Sequence, residues 1–111
     1  MRVLHISARE WFDKVNGNTY SSVAVFVDGV RVGVMPMAYG HGPLTHLDLS
    51  AIVLRGAGFD TVDSYYFEEW RASGWAVSHD SCYVARKRDL HQGGKTLGGG
   101  AFDVFVEAVT A

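Results

Sequence analysis

The chain has 111 residues, 48% of them hydrophobic and 20% charged, with a formal net charge of -2. That length suits one domain around a single core, and the composition excludes general disorder. The slightly acidic balance excludes a whole-molecule attraction to nucleic acid or anionic lipid, though not a local patch.

Arg2 to Ser7 alternates as a strand, with Val3 and His5 on one side and Leu4 and Ile6 on the other. Trp11-Phe12 follow, and Asn16-Gly17-Asn18 supply residues that tolerate positive φ in a turn. Val23, Val25 and Val27 then fall on one face, and Val30, Val32 and Val34 repeat that period after Asp28-Gly29. Two alternating β-branched runs around Asp-Gly predict a hairpin with a type I′ turn, in strands near 21–27 and 30–35. Pro36 is expected to end the second strand's interior or to place it on an edge. Tyr39-Gly40-His41-Gly42-Pro43 reads as a loop, and Thr45 as the cap of a helix whose stripe is Leu49, Ile52 and Val53. Gly56 or Gly58 would close that helix. A shorter helix is expected from Ser64 through Tyr66 and Trp70 to Ser73-Gly74.

From Trp75 the period returns to two, and this strand is expected to end in Arg86-Lys87-Arg88-Asp89. Five glycines lie between Gly93 and Gly100, and Phe102, Val104 and Val106 alternate beyond them as a terminal strand. The predicted fold is α+β: a mainly antiparallel sheet with one or two helices packed on one face. The domain division is 1–92 for the body, 93–100 for a glycine-rich connector and 101–111 for a strand-like tail. The tail is expected to add to an open sheet edge, with pairing to a second copy, a homodimer through residues 101–111, favoured over its own domain.

Gly94-Lys95-Thr96 resembles the end of a phosphate loop, but Asp89 stands where the first glycine belongs and a strand pattern follows in place of a helix. The five histidines and one cysteine do not read as a metal set; His79 and Cys82, three apart on a strand, point to opposite faces. Surface or loop positions are the expected places of the histidines. Cys82 can form no internal disulfide, and no sequence feature activates its thiol, so it is expected to be a buried, unreactive strand residue. No catalytic residue, metal or cofactor is assigned. Tyr83, Arg86, Lys87 and Arg88 join an aromatic to three cations, the makings of a nucleic-acid contact, with Arg86 and Arg88 on one strand face and Lys87 on the other. No apolar run approaches the roughly 20 residues of a membrane span, and the first one breaks at Arg9-Glu10, too soon for a signal peptide.

The run Arg9-Glu-Trp11-Phe12-Asp-Lys14-Val-Asn16-Gly17-Asn18-Thr19-Tyr20, the hairpin after it and the Tyr39-Gly40-His41-Gly42 loop resemble a group of small bacteriophage and prophage proteins. These carry a tryptophan, a lysine and Gly-Asn-Thr-Tyr ahead of two strands, then a Tyr-Gly-Tyr-Gly-like loop and a helix; His41 stands where the second tyrosine is frequent. Val84 to Leu90 also resembles the group's last strand, so the likeness covers about residues 2 to 91 in blocks. It implies phage origin and the cytoplasm of an infected bacterial host, and it implies no particular activity. Its matching positions are Trp11, Lys14, Asn18, Thr19, Tyr20, Tyr39 and Gly40; all of these but Gly40, together with His41, are the candidate binding residues. The resulting expectation is a non-enzymatic phage accessory protein that binds a host macromolecule, an unidentified host protein first. A nucleic-acid-binding module is the alternative, and an enzyme or ligand sequestrant working through the 14–20 and 39–43 loops stands third.

Overall fold

The structure is a computed structural model describing residues 2–64, 66–92 and, as backbone, 105–106. Its elements are β1 (Arg2–Asp13), β2 (Asn18–Val27), β3 (Val30–Tyr39), α1 (Pro43–Gly56), α2 (Phe67–Ala72), β4 (Trp75–Tyr83) and β5 (Phe105–Val106), with a short 3₁₀ helix at Lys87–Leu90. The sheet order is β4-β1-β2-β3-β5; all pairings are antiparallel except β1 with β4. The expected α+β class, mainly antiparallel with helices on a face, is the observed one.

Period-two alternation sorts the sheet into two faces. Leu4, Ile6 and Ala8 of β1 stand opposite Val27, Val25 and Val23 of β2, and all six are buried. Leu47, Leu49, Val53 and Leu54 of α1 close over them with Met35 and Ala38 of β3, while Trp70 of α2 packs on Trp75. Burying a large aliphatic side chain is worth about 1.5–3 kcal/mol, so this face supplies most of the stabilisation.

The hairpin turn is as expected: Asp28 has φ 50° and Gly29 φ 83°, the two positive values a type I′ turn requires. Other boundaries differ. β1 runs on to Asp13, and β3 continues through Pro36 to Tyr39. Proline is accommodated there because the β2–β3 register slips between Ser21 and Val23, opposite Ala38 and Met35, and an irregular stretch makes no demand on its missing N–H. Thr45 does not cap α1; Gly42 does, at φ 90°, and Pro43 opens the helix, where its missing donor costs nothing. β4 stops at Tyr83, and 87–90 is a 3₁₀ helix, so the strand alternation expected of Arg86, Lys87 and Arg88 does not apply.

From residue 84 the chain crosses the sheet face opposite the helices as a strap. Arg9 Nη1 donates to the carbonyls of Asp89 (3.1 Å) and His91 (2.7 Å), Ser22 Oγ to that of Leu90 (2.6 Å), and Gln92 Nε2 to that of Ser7 (3.0 Å). Leu90 is buried beneath it. Phe105–Val106 then pairs antiparallel with Gly33 and Val34 of β3 in the same chain. The glycine connector 93–100 and the rest of the 101–111 tail lie outside the described residues.

Candidate functional site

Three aromatic side chains form a ladder on the strap face, one from each of three adjacent strands. Trp11 and Tyr20 are a register pair, their rings stacked at 5.9 Å, and Tyr20 meets Tyr39 edge-on, also at 5.9 Å. Burial rises away from the rim: Tyr39 is 62% exposed, while Trp11 and Tyr20 are half-buried. At its Tyr39 end the ladder opens on a cleft of about 290 Å³, lined by Gly17, Asn18, Thr19, Tyr39, Gly40, His41 and Thr45. The two polar loops are joined by a bond between two of its lining residues, Gly40 N–H donating to the Thr19 carbonyl at 3.0 Å. The structure therefore brings Asn18, Thr19, Tyr39 and His41 together around one cleft and sets Trp11 and Tyr20 beside it. Lys14 is exposed on the turn beyond and is not among the lining residues.

That turn is shaped by Asp13. Its carboxylate accepts the Asn16 side-chain amide (2.8 Å) and the backbone N–H groups of Val15 (3.0 Å) and Asn16 (3.4 Å). The Asn16 side-chain bond, helped by the two backbone donors, holds the carboxyl below its usual range.

Behind the 39–43 loop lies a buried polar chain that sequence reading did not assemble. Ser21, His46 and Glu10 are each at most 5% exposed. Ser21 Oγ donates to the Gly40 carbonyl at 2.7 Å, which commits its one proton. It must then accept from His46 Nε2–H, 3.1 Å away. With that nitrogen protonated, His46 Nδ1 receives the Nε2–H of His79 at 2.8 Å, and His79 Nδ1 keeps its lone pair. Glu10 Oε2 accepts Gly42 N–H at 3.1 Å and stands 3.8 Å from His46 Nε2. Burial, then the neighbouring His79 and His41, lowers the His46 pKa to about 4, and burial also lowers that of His79. The imidazoles are neutral at pH 7. His46 thus corrects the expectation of surface or loop histidines: it lies in the core because it continues the apolar face of α1 that includes Leu49 and Val53.

This chain positions backbone. Ser21 is fully buried with its hydroxyl engaged, so it is no nucleophile, and its bond to Gly40, like Glu10's to Gly42, fixes the loop that walls the cleft. The signal was legible in the alternation: Glu10 continues the Leu4-Ile6-Ala8 face and Ser21 the Val23-Val25-Val27 face.

The remaining candidates are dispersed. Arg86, Lys87 and Arg88 are exposed on the strap, next along the sheet face from the ladder, and Lys87 and Arg88 border a hollow with Pro36, Met37 and Leu90. Tyr83, 73% exposed, pairs with Glu10 in register and so stands on the helix side, away from those cations. Cys82 is exposed, which corrects the expectation of a buried thiol: β4 is an outer strand, and Cys82 lies on the face opposite the helices. Among the described residues no group of three or more His, Cys, Asp or Glu side chains is placed to hold a metal ion, and no helix is long and apolar enough to cross a membrane.

No protein-family model, curated protein or solved structure matches this chain.

Proposed function

We propose that the chain is a non-enzymatic bacteriophage accessory module that works in the host cytoplasm by binding a host macromolecule, a protein first, through the aromatic ladder and its adjoining cleft. The observation that carries this reading is the continuity of the two: rigid, half-exposed rings of Trp11, Tyr20 and Tyr39 run into a polar cleft lined by Asn18, Thr19 and His41. Tyr and Trp supply contact area at low entropic cost, and donors and acceptors beside them fix orientation. The buried Glu10–Ser21–His46–His79 chain supports the same reading, because it holds the cleft wall rigid before any partner arrives. The test is capture of a host component by the immobilised wild-type chain, repeated with Tyr39→Ala and with His41→Ala. Both variants alter exposed side chains and should keep the wild-type melting temperature. Equal capture by all three proteins would count against this surface.

A second reading rests on the exposed cations of the strap. If Arg86, Lys87 and Arg88 contact phosphates beside the ladder, oligonucleotide affinity falls by about 0.7–0.9 log units per phosphate for each log unit of salt. Neutralising Arg86 and Arg88 would then weaken binding for every sequence tested. Absence of any shift with DNA or RNA at low salt removes this alternative.

A further inference from the structure

The two long outer strands of the sheet are finished differently. β3 carries Pro36 within an irregular stretch, and β5 pairs along its outer edge at Gly33 and Val34. Among the described residues β4 has neither device. It runs nine residues in unbroken register against β1, with no proline, lysine or bulge to keep another strand away.

Two hydrogen bonds show which of its backbone groups face outward. Arg2 N–H donates to the Gly74 carbonyl at 3.2 Å, and Val84 N–H donates to the Glu10 carbonyl at 2.8 Å. Even-numbered residues therefore turn toward β1, and alternation sends the N–H and C=O of Val77, His79, Ser81 and Tyr83 outward. Among the described residues, no backbone group bonds to them.

We propose that this edge pairs with the same edge of a second copy, antiparallel about a two-fold axis at His79, so that one sheet runs through a homodimer. Only this axis engages all nine residues of both strands. His79 then faces its own copy, Val77 faces Ser81 and Trp75 faces Tyr83, each as a hydrogen-bonded pair. Ala76 faces Cys82 and Ser78 faces Asp80 on the other side of the sheet, as non-hydrogen-bonded pairs. No like charges oppose one another, and burial keeps His79 neutral at the axis. Moving the axis to Asp80 would shorten the overlap and set two carboxylates face to face. Tyr83, 73% exposed on the single chain, comes to lie beside the strand position of Trp75, whose own ring is already packed on Trp70, and so loses part of its exposure. A second copy is the occupant that fits, because it brings a strand of the same length and pleat whose outward groups have the same need.

The register makes a sharp test possible in the full chain. Ala76→Cys adds a thiol opposite native Cys82 of the other copy, at a non-hydrogen-bonded pair where Cα atoms lie about 4.5 Å apart, within disulfide range. Within one chain the two positions are about 20 Å apart along the strand, so they cannot join internally. Mild oxidation should convert Ala76→Cys to a covalent dimer on a non-reducing gel. Wild type, and Ala76→Cys combined with Cys82→Ser, should stay at monomer mass on that gel. In solution, light scattering should give twice the chain mass for wild type and for a chain lacking 101–111. It should give the single mass for Ser81→Pro, whose lost N–H points outward and serves no bond to β1. A wild-type chain that stays monomeric at every concentration, or equal cross-linking with and without the added thiol, overturns the proposal. So does a dimer lost with the tail and indifferent to Ser81→Pro.

Discussion

His46 concentrates the residue-scale consequences of this fold. Its side chain has no exposure and its pKa falls from the ordinary 6.5 to about 4, so between those values the unfolded chain binds a proton that the folded chain refuses. Stability therefore rises with pH across that window and is lost as pH falls from about 6.5 toward 4. The full difference is at most about 3 kcal/mol. His79, shifted in the same direction, adds to the same slope. Denaturant melts at pH 7.5, 5.5 and 4.5 should show the wild type weakening stepwise. His46→Gln should be less stable at neutral pH but flatter across the series, and an unchanged slope would place the titration elsewhere. Ser21→Ala removes one link and leaves the partner nitrogen of His46 dry, at a cost of about 1–3 kcal/mol.

At the scale of the element, the hairpin turn is the part most firmly prescribed by local chemistry. A Cβ on Gly29 meets nothing within 4 Å, so the cost of substitution there is backbone strain alone. Gly29→Val should cost about 1–2 kcal/mol, read as a lower melting temperature with an unchanged far-ultraviolet spectrum. Gly40→Ala adds a clash to the strain, because the new Cβ would stand 2.9 Å from Thr45 Cγ2. It should be the more damaging of the two, and it should also disturb the cleft wall. The hairpin, both helices and the start of β4 were legible because each rests on neighbours in sequence: alternation, Asp-Gly, an apolar stripe. The β1–β4 parallel pair and the strap were not, since nothing near Trp75 says that it lies beside Arg2. Site residues divided the same way. Trp11, Tyr20 and Tyr39 could be named singly, but their stacking depends on cross-strand register. The buried chain through Glu10, Ser21 and His46 needed three elements folded together before its members met.

Across the whole molecule, the sheet is covered on both faces by very different means. Helix α1 buries one face with apolar side chains, whereas the strap covers the other largely by polar bonds to carbonyls and one anchor, Leu90. Leu90→Ala should cost about 2–5 kcal/mol through the cavity left behind. Ser22→Ala should cost less, about 1–3 kcal/mol, by leaving the Leu90 carbonyl without its donor. Amide exchange would distinguish the two halves: release of the strap should speed exchange near residues 84–92 while the α1 side keeps its protection. Uniform acceleration would mean the strap and the helix layer open as one unit.

The parallel pairing of β1 with β4 also sets an order in time. The β1–β2–β3 meander can form from contacts between consecutive strands, but Arg2 meets Trp75 only after both helices have been made. Contacts across such a long separation form slowly, because loop-closure entropy must be overcome before they stabilise anything. During synthesis β1 therefore waits with one side unpaired, and β4 seals it late. The last long strand to dock is also the one whose outer side, among the described residues, pairs with no other strand, so in this chain the slowest contacts to form are those that leave a sheet edge exposed.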